Sequence, residues 1–303
     1  MRIPYSWIHK DYVKLARHTE ENQMLNSSPI LVHGRFTRLV LDDPDIPTMD
    51  EEYDIGVFVP GQYIEREVDW DRLLNVLFLT FGGFLITVVL TTVMIVPMAA
   101  VGLIDMFSPG LFKPWSMLIL SFAELGFIVT PIYYVRKHRL PLTAIGIRDM
   151  RSLKNMALGI VTGVAMLGGN LFISWLISDV FRIPVTGDEE LFAAIDVYEL
   201  VGWVVVMFVI VGFTEELIFR GFLQRRMEMY FRRKGKNAGI KAIIITSFIF
   251  AAIHLDVVGF ATRFMLGVFL GFLAQRTKYS MIGPTIAHGL NNAVVVIMAS
   301  MFV

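Results

Sequence analysis

Long apolar runs dominate the chain from residue 73 onward, and short stretches with charged residues, proline or glycine separate them. A helix that crosses the hydrocarbon core of a bilayer, about 30 Å thick, needs roughly 20 mostly apolar residues. Seven such spans are predicted, and an eighth is allowed by the pattern. They are approximately Leu73 to Ile104, Trp115 to Tyr134, Asn155 to Ile177, Glu199 to Leu223, Ile240 to His254, Val258 to Gln275 and Met281 to Phe302. The predicted fold class is therefore all-α, a polytopic transmembrane helix bundle.

The composition supports an integral membrane protein. Hydrophobic residues make up 55% of the 303 positions, and charged residues only 18%. Soluble domains carry about a quarter charged residues. The chain has no cysteine, which excludes disulfide frameworks, thiolate metal sites and cysteine nucleophiles. Any metal ligand or catalytic group must therefore come from histidine, glutamate, aspartate or water.

The charges divide the chain into two parts. Residues 1–72 hold 14 acidic and 8 basic residues, a balance of −6, and residues 73–303 carry the opposite balance. We therefore predict an acidic cytosolic N-terminal extension over 1–72 and a transmembrane helical domain over 73–303. The extension contains no catalytic constellation, and we expect it to be solvated.

The distribution of lysine and arginine predicts the orientation, because cytoplasmic loops retain basic residues. The segment from Arg136 to Lys154 holds six of them, and the segment from Arg225 to Lys241 holds seven. The alternate loops hold few. We expect the N-terminus to be cytoplasmic and the membrane to be a prokaryotic plasma membrane.

Three charged residues stand together inside the fourth predicted span. Glu216 and Arg220 are four residues apart and share a helical face, whereas Glu215 points about 100° away. A charge at membrane depth costs roughly 2.5 to 3.5 kcal/mol even on lenient scales. A structural ion pair explains Glu216 with Arg220, but it leaves Glu215 without a local partner. Glu215 is therefore a candidate functional carboxylate.

Two histidines are its candidate partners. His254 closes the fifth predicted span, one helical turn after Phe250. His288 lies in the seventh span, one turn before Asn292. At 1.5 Å per residue, Glu215 lies roughly 15 Å from Arg225 and His254 roughly 20 Å from Lys241, the basic residues that mark the inner ends of their spans. His288 lies roughly 10 Å from the start of its span. These depths allow one polar cavity to hold all the groups.

Such a group of side chains can activate water in two ways. A buried carboxylate can take a proton from water while imidazole and amide groups hold a developing oxyanion. Equally, Glu215, His254 and His288 could ligate a divalent metal such as zinc, which would generate hydroxide. The spacing does not separate these mechanisms. Serine catalysis is less favoured because no Gly-x-Ser-x-Gly is present.

Three motifs resemble those of the CPBP family of intramembrane proteases. They are EELIFRG at 215–221, FAAIH at 250–254 and HGLNN at 288–292, which match the family patterns EExxxR, FxxxH and HxxxN in order. The family contains type II CAAX prenyl endopeptidases and bacteriocin-processing or self-immunity proteins. The resemblance covers about residues 115–303, which would form the catalytic core.

The resemblance implies a role for each motif residue. Glu215 would be the general base on water, helped by His254, and Glu216 would orient groups in the site. His288 and Asn292 would hold the oxyanion. The family allows both metal-dependent and metal-free mechanisms, and we favour the metal-free one without a certain cofactor.

Arg220 of the first motif would brace Glu216 or contact the anionic end of a substrate. The implied activity is that of an endopeptidase acting near the C-terminus of prenylated proteins or on membrane peptides. The expected partners are that substrate and the lipid bilayer, with no nucleic acid. The oligomeric state is open.

Two other functions are compatible with the sequence. The fold could sequester a peptide as a non-proteolytic immunity or scaffold protein. Alternatively, Glu124 in the second span, the two glutamates of EELIFRG and the two histidines could form the relay of a proton-coupled transporter. No inverted repeat supports the transporter.

Overall fold

The computed structural model describes residue 65 and residues 67–105, 112, 115–183 and 192–301. Nearly all of the predicted N-terminal extension lies outside these residues, so its boundary at residue 72 stays a prediction. The described residues form helices and no β-sheet. The all-α membrane bundle predicted from the sequence is confirmed.

Each predicted span corresponds to one helix. We number them α1 to α7 over Trp70–Ala100, Ser116–Lys137, Leu153–Val180, Val197–Arg232, Ala238–Ala252, Phe260–Arg276 and Ile282–Met301. Five of these helices are long and apolar enough to cross a membrane. The other two, α5 and α6, are shorter, with 15 and 17 residues.

Three of the helices have an N-cap residue with a short polar side chain. Asp69, Ser152 and Asp196 precede α1, α3 and α4, and each accepts a hydrogen bond from a backbone N–H in the first turn. These caps satisfy donors that have no partner within the helix. Proline does not break α1, which continues through Pro97 to Ala100.

One segment of helix α4 lies inside the bundle. All eight residues of Leu217–Gln224 are buried, whereas Phe78 on α1 and Val161 on α3 are 75% and 67% exposed. A helix buried on all sides lies at the centre, and apolar exposed side chains suit helices that face lipid. Two stretches of α4, Met207–Val211 and Leu217–Gln224, are π-helical, a distortion found frequently at functional sites.

Glycines allow the inner helices to approach closely. A Cβ atom on Gly212 of α4 would lie 3.1 Å from the backbone nitrogen of Gly289 on α7. A Cβ atom on Gly159 of α3 would lie 2.6 Å from the carbonyl oxygen of Gly283 on α7. Small residues at helix contacts are characteristic of membrane bundles. The first contact holds Glu215 and Glu216 beside α7.

Replacing Gly221 with alanine is expected to destabilise the protein. The new Cβ would lie 2.1 Å from the carbonyl oxygen of Ile145, which belongs to a short 3₁₀ turn, Leu142–Ile145. Relief of that clash requires a backbone shift, and overpacking of this kind costs about 1–3 kcal/mol. The measurement is the midpoint of thermal unfolding in detergent.

The matched control is Gly168→Ala in α3, where nothing lies within 4 Å of the new Cβ. Alanine is favoured over glycine in a helix by about 0.5–1 kcal/mol, so this variant should melt at or above the wild-type temperature. Equal melting temperatures for the two variants would contradict the close approach at Gly221.

Candidate active site

Glu216 anchors the polar centre of the bundle. Its side chain is fully buried, and Oε1 lies 3.0 Å from Nη1 of Arg220, one turn later on α4. Oε1 also lies 2.9 Å from Nδ1 of His288 on α7. The predicted pairing of Glu216 with Arg220 is therefore present, and a histidine from another helix completes it.

His288 lies between the two glutamates of the first motif. Its Nε2 atom is 3.8 Å from Oε2 of Glu215, on the opposite side of the ring from Glu216. An ionised carboxylate only accepts hydrogen bonds, so Nδ1 carries a hydrogen and donates it to Glu216. Oε2 of Glu215 is buried and has no hydrogen-bond partner among the described residues. Oε2 of Glu216 also has no such partner, but Oε1 of Glu216 is held by two close contacts, whereas the contact of Glu215 with His288 is longer.

Phe250 forms an aromatic wall beside these charges. The guanidinium carbon of Arg220 lies 4.5 Å from the centre of the Phe250 ring, and the His288 ring centre lies 6.0 Å away. A cation over an aromatic face is attracted to it, most strongly where water is excluded. Arg220 thus contacts both Phe250 and Glu216.

His254 lies at the edge of this centre. It lies two positions after Ala252, the last residue of α5, and it is exposed. Nδ1 lies 2.7 Å from the carbonyl oxygen of Phe250, to which it donates. The ring is 5.1 Å from that of Phe250, as the one-turn spacing predicted.

Asn292 is half-buried on α7, one turn after His288. Its Oδ1 accepts a hydrogen bond of 3.2 Å from Nδ2 of Asn291. The described residues show no hydrogen bond or ion pair that joins Asn292 or His254 to the charged motif residues and His288, which are Glu215, Glu216, Arg220 and His288. The structure thus brings Glu215, Glu216, Arg220 and His288 within 4 Å of one another in a chain of contacts.

Sequence reasoning did not assign Glu124 to the site. It lies in a 3₁₀ turn within α2, Ser121–Leu125, which packs against Gly212–Glu216 of α4. Its Oε2 atom is buried without a hydrogen-bond partner among the described residues. The signal in the sequence was a lone glutamate in an apolar span. Which helix it faces was not readable.

A second polar cluster lies at the basic end of α4. Arg226 is fully buried, and Nη2 lies 2.8 Å from Oε2 of Glu65, which precedes α1. The hydroxyl of Tyr134 donates to the same carboxylate. Beside Tyr134, burial lowers the pKa of His138, because it disfavours the charged ring. This cluster ties the start of the helical domain to the helix that carries the first motif.

The predicted metal ligands do not form a metal site. Within the described part of the chain, no group of three or more histidine, aspartate and glutamate side chains is arranged to hold a metal ion. Both ring nitrogens of His288 already lie next to carboxylates. We therefore derive no step through a metal.

Comparison with protein families gives one match, over residues 198–294, to a family described as type II CAAX prenyl endopeptidase Rce1-like. Comparisons with curated proteins and with solved structures give no match. The matched region contains all three motifs and is narrower than residues 115–303, over which the resemblance was expected. It begins in α4 and includes most of α7. Residues 198–294 are therefore similar to the type II CAAX prenyl endopeptidase Rce1-like family, which confirms the resemblance to the CPBP family.

Proposed function

We propose that the protein is an intramembrane endopeptidase in which Glu215 activates water. The observation that carries this is the difference between two adjacent glutamates. Oε1 of Glu216 lies 3.0 Å from Arg220 and 2.9 Å from His288, whereas Oε2 of Glu215 approaches Nε2 of His288 only to 3.8 Å. Oε2 of each glutamate is buried without a hydrogen-bond partner among the described residues. A water molecule beside the Glu215–His288 pair would make a hydrogen bond to each, because Oε2 and Nε2 are too far apart for a direct bond.

The charges of the centre suit this chemistry. The two glutamates lie next to Arg220 and His288, so the acidic side chains have basic partners. Charges with partners are less costly at membrane depth than isolated ones. The proposed mechanism requires a hydrogen on both ring nitrogens of His288, so that Nδ1 stays on Glu216 and Nε2 donates to the oxyanion.

The proposed reaction balances within these residues. Glu215 takes a proton from water, and the water oxygen attacks the carbonyl carbon of the peptide bond. The negative charge moves to the carbonyl oxygen, where Nε2 of His288 and the amide of Asn292 donate to it. The carbon–nitrogen bond then breaks, and Glu215 returns its proton to the leaving amine. His254 helps to orient Glu215.

For Arg220, the geometry favours bracing over contact with substrate. It is 1% exposed, pairs with Glu216 and lies on the Phe250 ring. An anionic substrate group would have to displace these contacts. We therefore assign Arg220 to positioning Glu216, which in turn orients His288.

We further propose a peptide held at the membrane as the substrate, either a prenylated protein cut near its C-terminus or a membrane peptide. The domain match supports a peptidase of the CAAX type. The basic residues at the ends of α2 and α4 support a cytoplasmic N-terminus and a prokaryotic plasma membrane. Residues 1–72 would be a cytosolic extension.

A cleavage assay tests the proposed function. The purified protein and Glu215→Gln are incubated with a farnesylated CAAX peptide and with an unprenylated peptide library, with and without a chelator, and products are read by mass spectrometry. We expect cleavage by the wild type, loss of cleavage in the variant and no effect of the chelator. Loss of activity with the chelator would contradict the metal-free mechanism. A folded wild type that cleaves no peptide would favour the non-proteolytic binding function.

A further inference from the structure

The loop between α5 and α6, residues 253–259, has an unusual surface for a connection between helices. Leu255 and Val257 are 85% and 90% exposed, among the highest values for large apolar residues in the described chain. His254 of the candidate active site belongs to the same loop and is also exposed. Loops that face water are normally polar, so these side chains need another explanation.

The lengths of the two helices place this loop within the bilayer. Lys241 near the start of α5 and Arg276 at the end of α6 are exposed basic residues that mark one membrane interface. At 1.5 Å per residue, α5 reaches about 17 Å beyond Lys241, and α6 begins about 24 Å from Arg276. Both distances are smaller than the hydrocarbon thickness of about 30 Å.

Polar groups of the loop form hydrogen bonds and an ion pair within the loop and with the adjoining helices. Asp256 accepts a hydrogen bond of 3.0 Å from the backbone nitrogen of Gly259 and forms an ion pair with Arg263. The hydroxyl of Thr262 donates to the carbonyl oxygen of Gly259 at 2.7 Å. Nδ1 of His254 donates to Phe250. Irregular backbone at membrane depth is stable only where its polar groups are satisfied within the protein, and a self-paired charge lowers the cost of a buried ion.

We propose that the 253–259 loop lies in the hydrocarbon layer, with Leu255 and Val257 against lipid acyl chains. We further propose that a peptide held in the bilayer enters the candidate active site past this loop and so reaches His254. The second part rests on the proposed function, and the first does not. A peptide dissolved in water would not enter past a loop that lies in lipid. An entrance at this position therefore favours substrates held in the membrane.

Spin labelling tests the placement without reference to activity. The chain has no cysteine, so Leu255→Cys and Val257→Cys can each carry a single spin label in vesicles of phosphatidylcholine and phosphatidylglycerol. The controls are Val161→Cys on the lipid-exposed side of α3 and Lys236→Cys in the exposed turn before α5. The readout is collision with oxygen, which concentrates in lipid, against collision with a water-soluble nickel complex.

Labels at 255 and 257 should match Val161→Cys, with oxygen collisions several-fold more frequent than nickel collisions. Values that match Lys236→Cys would overturn the placement. Two label positions guard against a local effect of either substitution.

An activity measurement tests the role as a substrate entrance. The double variant Leu255→Asn/Val257→Asn should lower kcat/KM for a vesicle-bound farnesylated peptide about tenfold and leave that for the same peptide without the lipid unchanged. The matched control, Val161→Asn/Val164→Asn on α3, should change neither. Equal effects on both peptides, or none, would overturn the role. If the wild type cleaves neither peptide, the proposed function fails, and spin labelling still decides the placement.

Discussion

Glu215→Gln is expected to reduce kcat by about 10²–10⁴ while the protein remains folded, because loss of a general base has that range of effects. Glutamine keeps the shape of the side chain but cannot take a proton from water. Oε2 of Glu215 makes no hydrogen bond within the described residues, so the substitution breaks no hydrogen bond of that atom and affects only its 3.8 Å contact with His288. The measurement is single-turnover cleavage, with thermal unfolding of the same sample.

Glu199→Gln is the matched control. Glu199 is also a buried glutamate on α4, but it accepts hydrogen bonds from the backbone nitrogens of Trp115 and Ile195, away from the candidate active site. This variant should lose stability and keep its turnover. Turnover within tenfold of wild type in Glu215→Gln would rule out Glu215 as the base. An equal loss in both variants would indicate a general effect of buried charge on α4.

Arg220→Ala and Glu216→Gln are expected to be the most destabilising single changes in the site. Each leaves a buried charge without its partner, and breaking such a pair costs about 3–5 kcal/mol. Glu216 is 0% and Arg220 1% exposed in their side chains, so water cannot replace the lost contact. Chemical denaturation in detergent micelles measures the loss.

The double variant Glu216→Gln/Arg220→Met separates pairing from packing. Because both charges are removed, its loss of stability should be smaller than the sum of the single losses. Arg233→Ala provides the surface control, since Arg233 and Glu67 form an ion pair at 3.6 Å with 47% and 68% exposed side chains. Exposed pairs contribute about 0–1 kcal/mol. Additive losses in the double variant would show that the two residues act independently.

Relations within one helix were predictable because helix geometry determines them. The pairing of Glu216 with Arg220 and the contact of Phe250 with His254 both followed from four-residue spacing. Helix ends were less predictable. Helix α4 continues to Arg232, nine residues beyond the predicted span, because basic side chains extend a helix into water as readily as they end a membrane span.

Relations between helices were not predictable in the same way. His288 was expected in the cavity, but the sequence did not show that its ring lies between both glutamates. The burial of Glu124 beside α4 and the pairing of Arg226 with Glu65 also required the structure. These contacts depend on how closely helices pack and on their rotation, which change with single glycines such as Gly212.

The sequence by itself determined the helical membrane fold, the approximate spans, the candidate residues and the family resemblance. Apolar length and helical periodicity are local properties, and motifs keep their residue order in any packing. Only the tertiary structure decided the contacts of the two glutamates: Oε1 of Glu216 lies close to both Arg220 and His288, whereas Glu215 approaches the other ring nitrogen of His288 only to 3.8 Å. These contacts arise because α7 packs closely against α4 at Gly212 and Gly289, which places one imidazole between two adjacent carboxylates.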